Sequence, residues 1–350
     1  MPPTMTAAVL RYHGDRDAVQ LEQVPIPEPG YGEVRIRVKA CALNWLDVGI
    51  RRGPKFGVIP LPLIGGGDIA GEIDKLGPAV GDGVENWREG DAVLVYPLLT
   101  CGVCEFCRRG EPTTCPQHRI IGEHVDGGLA EYTILPAANL IAKPESLSFV
   151  EAAALPVVAM TAWHMLMSIG GLQAGESVLI VGAGGGVASL GIQIARFAGA
   201  TVFATTSSAD KAERAKALGA HEVFNYREGD WVQQLLDATN GRGVDLIQDN
   251  VGAATWPHDL RALARNGRLV VCGSHSGTTF PLDIAQIYHR QLRILGSNGG
   301  TFYDLTRALA LVEAGHVRPV VDTVLPLEQI REGHRLLEEG EHFGKVVISI

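Results

Sequence analysis

The sequence predicts an α/β chain of two domains, one β-rich and barrel-like, the other a doubly wound parallel sheet. Three observations predict it. A length of 350 residues exceeds what one core commonly organises. Short strands punctuated by proline and glycine fill roughly the first 150 residues. From Ser177 onward, strand-like runs alternate with helical ones.

In chain order, Thr6–Arg11, Val19–Val24 and Glu33–Ala40 read as strands, separated by turns such as Pro25-Ile26-Pro27-Glu28-Pro29-Gly30. The alternation in Val34-Arg35-Ile36-Arg37-Val38-Lys39 is that of a half-buried strand. Asp68–Leu76, Asp91–Pro97 and Ala130–Leu135 follow as further strands. Ser148 and Glu151 have capping-box spacing and open an alanine-rich helical stretch. Ser177–Val181 is a short apolar, β-branched run, the sign of a strand buried on both faces. It ends in Gly182-Ala183-Gly184-Gly185-Gly186, after which Val187, Leu190, Ile194 and Phe197 fall at helical spacing. Strand, glycine turn and helix together point backbone N–H groups and a positive helix end at a pyrophosphate. The match to G-x-G-x-x-G is imperfect, reading Ala183-x-Gly185-x-x-Ala188. A strand at Thr201–Thr205 and a charged helix at Ala209–Leu218 complete a βαβ unit, which makes this a dinucleotide site. Glu222–Asn225, Val244–Asp249, Gly267–Cys272 and Leu292–Ser297 bring the strands to six. From about Pro319 the chain returns to β character, ending in Lys345–Ile350, so the nucleotide domain reads as an insertion into the first.

Composition narrows the function classes. With 46% hydrophobic and 20% charged residues the chain can form packed cores, and a net charge of −9 argues against nucleic acid or an anionic membrane as partner. No run of 18 apolar residues predicts a membrane span. Met1–Leu10 lacks a basic stretch followed by an apolar core, so the expectation is a cytoplasmic protein acting on a small molecule.

Four of the six cysteines crowd together as Cys101-x2-Cys104-x2-Cys107-x7-Cys115, while Cys41 and Cys272 stand alone. This is metal-site usage in a reducing compartment, not a disulfide framework. Four thiolates hold zinc tetrahedrally in a closed site with no open position for substrate, so one structural zinc is expected. An iron–sulfur cluster is the rival, with nothing else in the chain indicating electron transfer.

A cysteine lobe followed at this distance by a glycine strand–turn–helix resembles the zinc-type alcohol dehydrogenase group of the medium-chain dehydrogenase/reductase superfamily. The resemblance runs from Ala40 to Gly344-Lys345-Val346-Val347 and includes Gly90-Asp91, Leu147-Ser148 and Lys216–Ala220. It implies a GroES-like catalytic domain over 1–156 with a zinc lobe at about 98–118, a Rossmann domain over 157–318, and a return to the catalytic domain over 319–350. One departure matters most. The family's catalytic-zinc ligands fall on Asn44, on Gly67-Asp68 and near Val157. Neither Gly67 nor Val157 has a side-chain donor, and Asp68 cannot hold zinc alone, so catalytic zinc is expected to be absent. Asn44-x-x-Asp47 and Gly67–Gly71 instead resemble the zinc-independent quinone reductases, which usually lack the four-cysteine lobe. His118, His124 and His164 show no spacing for a second metal site and read as hydrogen-bonded structural residues. Trp45 and Phe56 read as core or as cleft-lining aromatics.

NAD-selective enzymes place an acid at the end of the second strand, and here that place is Thr206, followed by Ser207. Lys211 and Tyr226 match residues that contact a 2′-phosphate in the quinone reductases, which implies NADPH. The turn residues Gly182, Gly184, Gly185, Gly186 and Val187 would hold the pyrophosphate, and Lys345 joins the cofactor set by resemblance. Ligands bind beyond the carboxyl ends of parallel strands, which places nicotinamide near Cys272-Gly273-Ser274 and Ser297-Asn298.

Without zinc an alkoxide lacks its Lewis acid, whereas charge on a conjugated acceptor can be met by hydrogen bonds. The sequence therefore reads as an NADPH-dependent reductase of quinones or activated C=C bonds. Asn44 is expected to orient substrate or nicotinamide ribose, with Asp47 supporting it. Two alternatives stand beside this, a zinc-type alcohol or carbonyl dehydrogenase and a non-catalytic NADPH-binding protein. The family inference for assembly is a homodimer or homotetramer paired through Leu292–Ser297.

Overall fold

Burial along Glu33–Ala42 shows how the first unit forms: Val34, Ile36 and Val38 face inward while the residues between them face out. In this computed structural model, which describes residues 2–53, 57–80 and 86–350, that strand is the centre of a seven-stranded sheet. Asp68–Leu76 pairs with one of its edges and Lys345–Ser349 with the other, both antiparallel. Tyr132–Pro136 pairs with its first half. Thr4–Leu10, Val19–Pro25 and Leu63–Ile64 form a smaller sheet. Apolar side chains from both sheets meet in one core, including Val9, Ile36, Ile69, Leu135 and Ile348. This unit comprises Met1–Val157 and Pro319–Ile350.

The second unit, Val158–Arg318, is an all-parallel six-stranded sheet. Its strand order is Glu222–Asn225, Thr201–Thr206, Ser177–Ile180, Val244–Asp249, Leu263–Val271 and Arg293–Gly296. In order of appearance that is 3-2-1-4-5-6, the doubly wound arrangement, with its switch point between the first and fourth strands. Leu179, Phe203, Ile247 and Leu269 are among its core residues.

The strands lie where the residue pattern puts them, within one or two positions for most. Helical detail differs more. Trp45–Arg52 is a helix that strand punctuation does not reveal. The stretch opened by Ser148 is not continuous: Phe149–Ala153 stops before Pro156, because the residue ahead of a proline is pushed out of the helical region. Pro156–Trp163 then runs into a π-helical turn at His164–Ile169. Among the described residues no helix is long and apolar enough to cross a membrane.

Candidate functional site

The central strand ends at Ala42, and its register sets Ala42 opposite Asp68 on one neighbour and opposite Val347 on the other. Both neighbours run antiparallel to it, so its carboxyl end meets their amino ends. Asn44 just beyond it, Asp68 opening one strand and Lys345 opening the other therefore converge. The Lys345 ammonium donates to Asp68 Oδ2 at 2.8 Å and to Asn44 Oδ1 at 2.6 Å. Asn44 Nδ2 donates to Asp68 Oδ2 at 2.9 Å, and the Val157 amide donates to Asp68 Oδ1 at 2.6 Å. The side chains of Lys345 and Asp68 are 3% and 0% exposed, while Asn44 is half-buried. The positions read as ligands for a catalytic cation are thus joined through Asp68, and an ammonium stands among them. Lys345, read from the resemblance as a cofactor contact, commits its charge to this cluster because a buried carboxylate and a buried amine each need a partner. A Cβ on Gly67 would stand 2.8 Å from the Ile121 carbonyl oxygen, so an imidazole there would require that backbone to shift.

Asp47 supports the arrangement from below. Its carboxylate accepts the backbone N–H of Asn44 at 2.7 Å and that of Gly66 at 3.1 Å, tying the start of helix Trp45–Arg52 to the glycine loop. Burial pushes its carboxyl up to about 6, against the pull of those two amides and of Lys345. Trp45 is half-buried, and Phe56 lies outside the described residues.

The second unit presents the glycine turn at the carboxyl end of its first strand. Gly182 has φ +73°, and its N–H donates to Thr205 Oγ1 at 3.1 Å. The first intrahelical bond after the turn runs from Ser189 N to Gly185 O at 2.9 Å, so the amides of Gly186, Val187 and Ala188 have no carbonyl within the helix. A Cβ on Gly185 would meet within 4 Å only Gly182 O, at 3.5 Å. Packing does not demand glycine there, whereas a phosphate approaching the backbone would. Gly184 completes the turn. At the carboxyl ends of the fourth and sixth strands, Asn250 Oδ1 and Ser297 Oγ are buried with no partner among the described residues, two polar atoms suited to a ligand. Nearby, Gly273 and Asn298 are exposed and Ser274 is half-buried. These groups fit a dinucleotide. Sequence reading missed Asn250, whose only signal was its place just past a strand end, whereas Ser297 lies in a segment it set near the nicotinamide.

At the ribose end the structure redistributes the expected roles. Thr206 is 2% exposed, so Ser207, half-buried, is the residue that faces outward there. Tyr226, which donates its backbone N–H to Thr206 O at 3.0 Å, is 48% exposed, and Lys211 is half-buried.

The cysteine lobe is closed at its base by pairing of Leu98–Leu99 with Arg119–Ile120. The sulfurs of Cys101, Cys104, Cys107 and Cys115 lie within 4.8 Å of one another. Cys101 stands 3.6 Å from Cys115 and 4.0 Å from Cys107, on either side of the ~3.8 Å that tetrahedral zinc–thiolate geometry requires. Backbone amides of Val103 and Cys104 hold the Cys101 thiol down to about 6, while burial and the neighbouring thiols push the Cys104 thiol up to about 11. The residues present fit zinc. Among the described residues this is the one group of three or more such side chains within reach of a single ion.

Each of the three histidines is hydrogen-bonded. His118 Nδ1 pairs with Cys115 O at 2.9 Å, His124 Nδ1 accepts from Ile120 N at 3.2 Å, and His164 Nδ1 meets Asp304 Oδ2 at 2.8 Å.

Comparison with known proteins agrees with this layout. Residues 30–145 match the alcohol dehydrogenase GroES-like domain family, and residues 186–314 match the zinc-binding dehydrogenase family. A zinc-type alcohol dehydrogenase-like protein of Schizosaccharomyces pombe is 36% identical over 345 residues, 95% of this chain and 96% of that protein. An acryloyl-coenzyme A reductase of Sulfurisphaera tokodaii is 30% identical over 337 residues, 96% of this chain and 98% of that protein. The crystal structure of an NAD-dependent alcohol dehydrogenase superposes with a TM-score of 0.94 at 45% identity, covering 99% of this chain and 100% of that one.

Proposed function

The chain belongs to the medium-chain dehydrogenase/reductase superfamily of oxidoreductases, and from that premise we propose that it is an NADPH-dependent reductase of quinones or of C=C bonds activated by a carbonyl, working without a catalytic zinc. The observation that carries this reading is the ion pair of Lys345 and Asp68. A zinc ion held by Asp68 would share the carboxylate oxygen that Lys345 approaches to 2.8 Å, and two cations so close repel strongly in a buried site. With the ammonium in place, alkoxide stabilisation by a metal is lost. A conjugated acceptor needs less, because its negative charge ends on a carbonyl oxygen that a hydrogen-bond donor can meet.

NADPH, when bound, would supply a hydride with its electron pair for the β-carbon of the acceptor, and water would supply the α-carbon's proton. The chain's own residues do the rest. Gly182–Val187 would receive the pyrophosphate, and Ser207, Lys211 and Tyr226 the 2′-phosphate. Asn44 would meet the acceptor, and Asp47 holds Asn44 and the glycine loop in place. The four cysteines would hold one structural zinc apart from the chemistry. The reductase name of the Sulfurisphaera protein supports reduction at C=C.

The likeness to an alcohol dehydrogenase structure supports a second reading, a metal-assisted alcohol dehydrogenase. Loss of NADPH absorbance against a panel of quinones, enones and enoyl thioesters separates the two. The proposal expects turnover of conjugated acceptors that a strong chelator does not stop at once. Turnover of alcohols alone, with two zinc ions per chain, would establish the second reading.

A further inference from the structure

The amide of Asn44 is fixed in one orientation by chemistry alone. An ammonium has only donors and a carboxylate only acceptors. Lys345 Nζ, 2.6 Å from one amide atom, must therefore face the oxygen, and Asp68 Oδ2, 2.9 Å from the other, must face the nitrogen. A flipped amide would set N–H against the ammonium and C=O against the carboxylate. One hydrogen of Nδ2 goes to Asp68, and among the described residues the second has no protein acceptor. Asn44 is also the one member of the trio that solvent or substrate can reach, since Lys345 and Asp68 are buried. Polarisation through the carbonyl by the ammonium makes the outward N–H a better donor.

We infer that Lys345 and Asp68 are positioning residues which hold Asn44 with its second Nδ2 hydrogen outward, so that a neutral amide backed by a buried ion pair donates to the carbonyl oxygen as it becomes an enolate. This rests on the reductase reading for its substrate but not for its geometry. Hydride addition at the β-carbon moves the C=C electron pair toward the carbonyl, whose oxygen gains the charge that Asn44 meets. Subsequent protonation of the α-carbon from water discharges it. A carboxylate and an ammonium 2.8 Å apart make the support neutral as a whole, so the site favours an oxyanion by a directed donor, not by net charge.

Oxyanion affinity can be read without turnover, by titrating 4-nitrophenol with the NADP⁺-loaded protein across pH and following the phenolate absorbance. The wild type should favour the phenolate and lower the apparent pKa of the bound phenol. Asn44→Ala should weaken phenolate binding by about tenfold or more, and enone reduction by about 100-fold in kcat, as loss of an oxyanion donor does. Lys345→Met leaves Asp68 unpaired and risks misfolding, so the informative variant is Lys345→Met/Asp68→Asn, which removes both charges and keeps the shape. It should lose the phenolate preference and most of kcat, with KM for the enone changed less. Its NADPH Kd, from fluorescence titration, should match wild type. Retention of phenolate preference by the folded double variant would overturn the inference, and so would a parallel rise in its NADPH Kd, which would assign Lys345 to the cofactor. A wild type that selects phenolate but reduces none of the quinones, enones or enoyl thioesters would sink the reductase reading and leave this inference standing.

Discussion

The cysteine lobe and the Asn44 cluster solve one problem in opposite ways. Each gathers groups that want a positive charge among them. The lobe places four sulfurs within 4.8 Å of one another and fits a cation from outside. The cluster gathers Asp68 and Asn44 around the ammonium of the chain's own Lys345. An imported ion can be removed and counted, and its ligands sit on one short loop. A built-in ion is fixed by strand register, and losing it leaves a carboxylate in the core. The lesson is that a positive charge can be held among acceptors either by ligand spacing on one loop or by strand register.

The largest expected effect breaks the built-in half. Lys345→Met should lower stability by about 3–5 kcal/mol, the cost of leaving a buried charge unpaired. Denaturant unfolding of the single variant beside Lys345→Met/Asp68→Asn measures it, and the double variant should recover most of the loss. Equal stability of single variant and wild type would mean that Asp68 does not depend on the ammonium.

Next in size is the pH dependence that Asp47 confers. Its folded value of about 6 lies above the ordinary 3.8, so the protonated form is favoured on folding. The stabilising contribution is complete below about pH 4 and falls away as pH rises through about 6, by at most about 3 kcal/mol. Asp47→Asn should flatten that segment of the stability profile. A variant profile parallel to wild type between pH 4 and 6 would show that some other group titrates there.

Breaking the imported half should cost less, because its chain pairs at its base through Leu98–Leu99 and Arg119–Ile120. Elemental analysis should find one zinc per chain, and less than one in Cys104→Ser. That variant should melt several degrees lower and keep its kcat. A full loss of turnover at unchanged melting temperature would place the lobe's metal in the chemistry.

The smallest effect sharpens the comparison at the cofactor, where another lysine is proposed to meet a phosphate. Lys211→Ala should raise the NADPH Kd about tenfold, about 1.4 kcal/mol, and leave NADH binding unchanged. Thr206→Asp would bury a carboxylate as well as repel the 2′-phosphate, so Ser207→Asp is the cleaner reversal of preference. Equal responses of NADPH and NADH in both Lys211→Ala and Ser207→Asp would mean that the 2′-phosphate is held elsewhere.

What the sequence determined by itself was everything written in local spacing. Alternation gave the strand at Glu33–Ala42, and the apolar run and glycines gave the strand, turn and helix from Ser177 to Phe197. The interval of Cys101, Cys104, Cys107 and Cys115 announced that four sulfurs would gather, because groups on one short loop need no distant partner. Tertiary structure alone decided what Asn44, Asp68 and Lys345 do together. Lys345 and Asn44 lie 301 residues apart, and their meeting depends on which strands flank Glu33–Ala42 and in what register. A lysine opening one apolar strand and an aspartate opening another were the only hints. The same limit hid the burial of Thr206 and the side chain of Asn250, whose Oδ1 has no partner among the described residues. Local pattern states which face of an element is apolar. Only the packing of elements settles which polar group is left facing which, because a buried charge takes its partner from wherever the fold brings one.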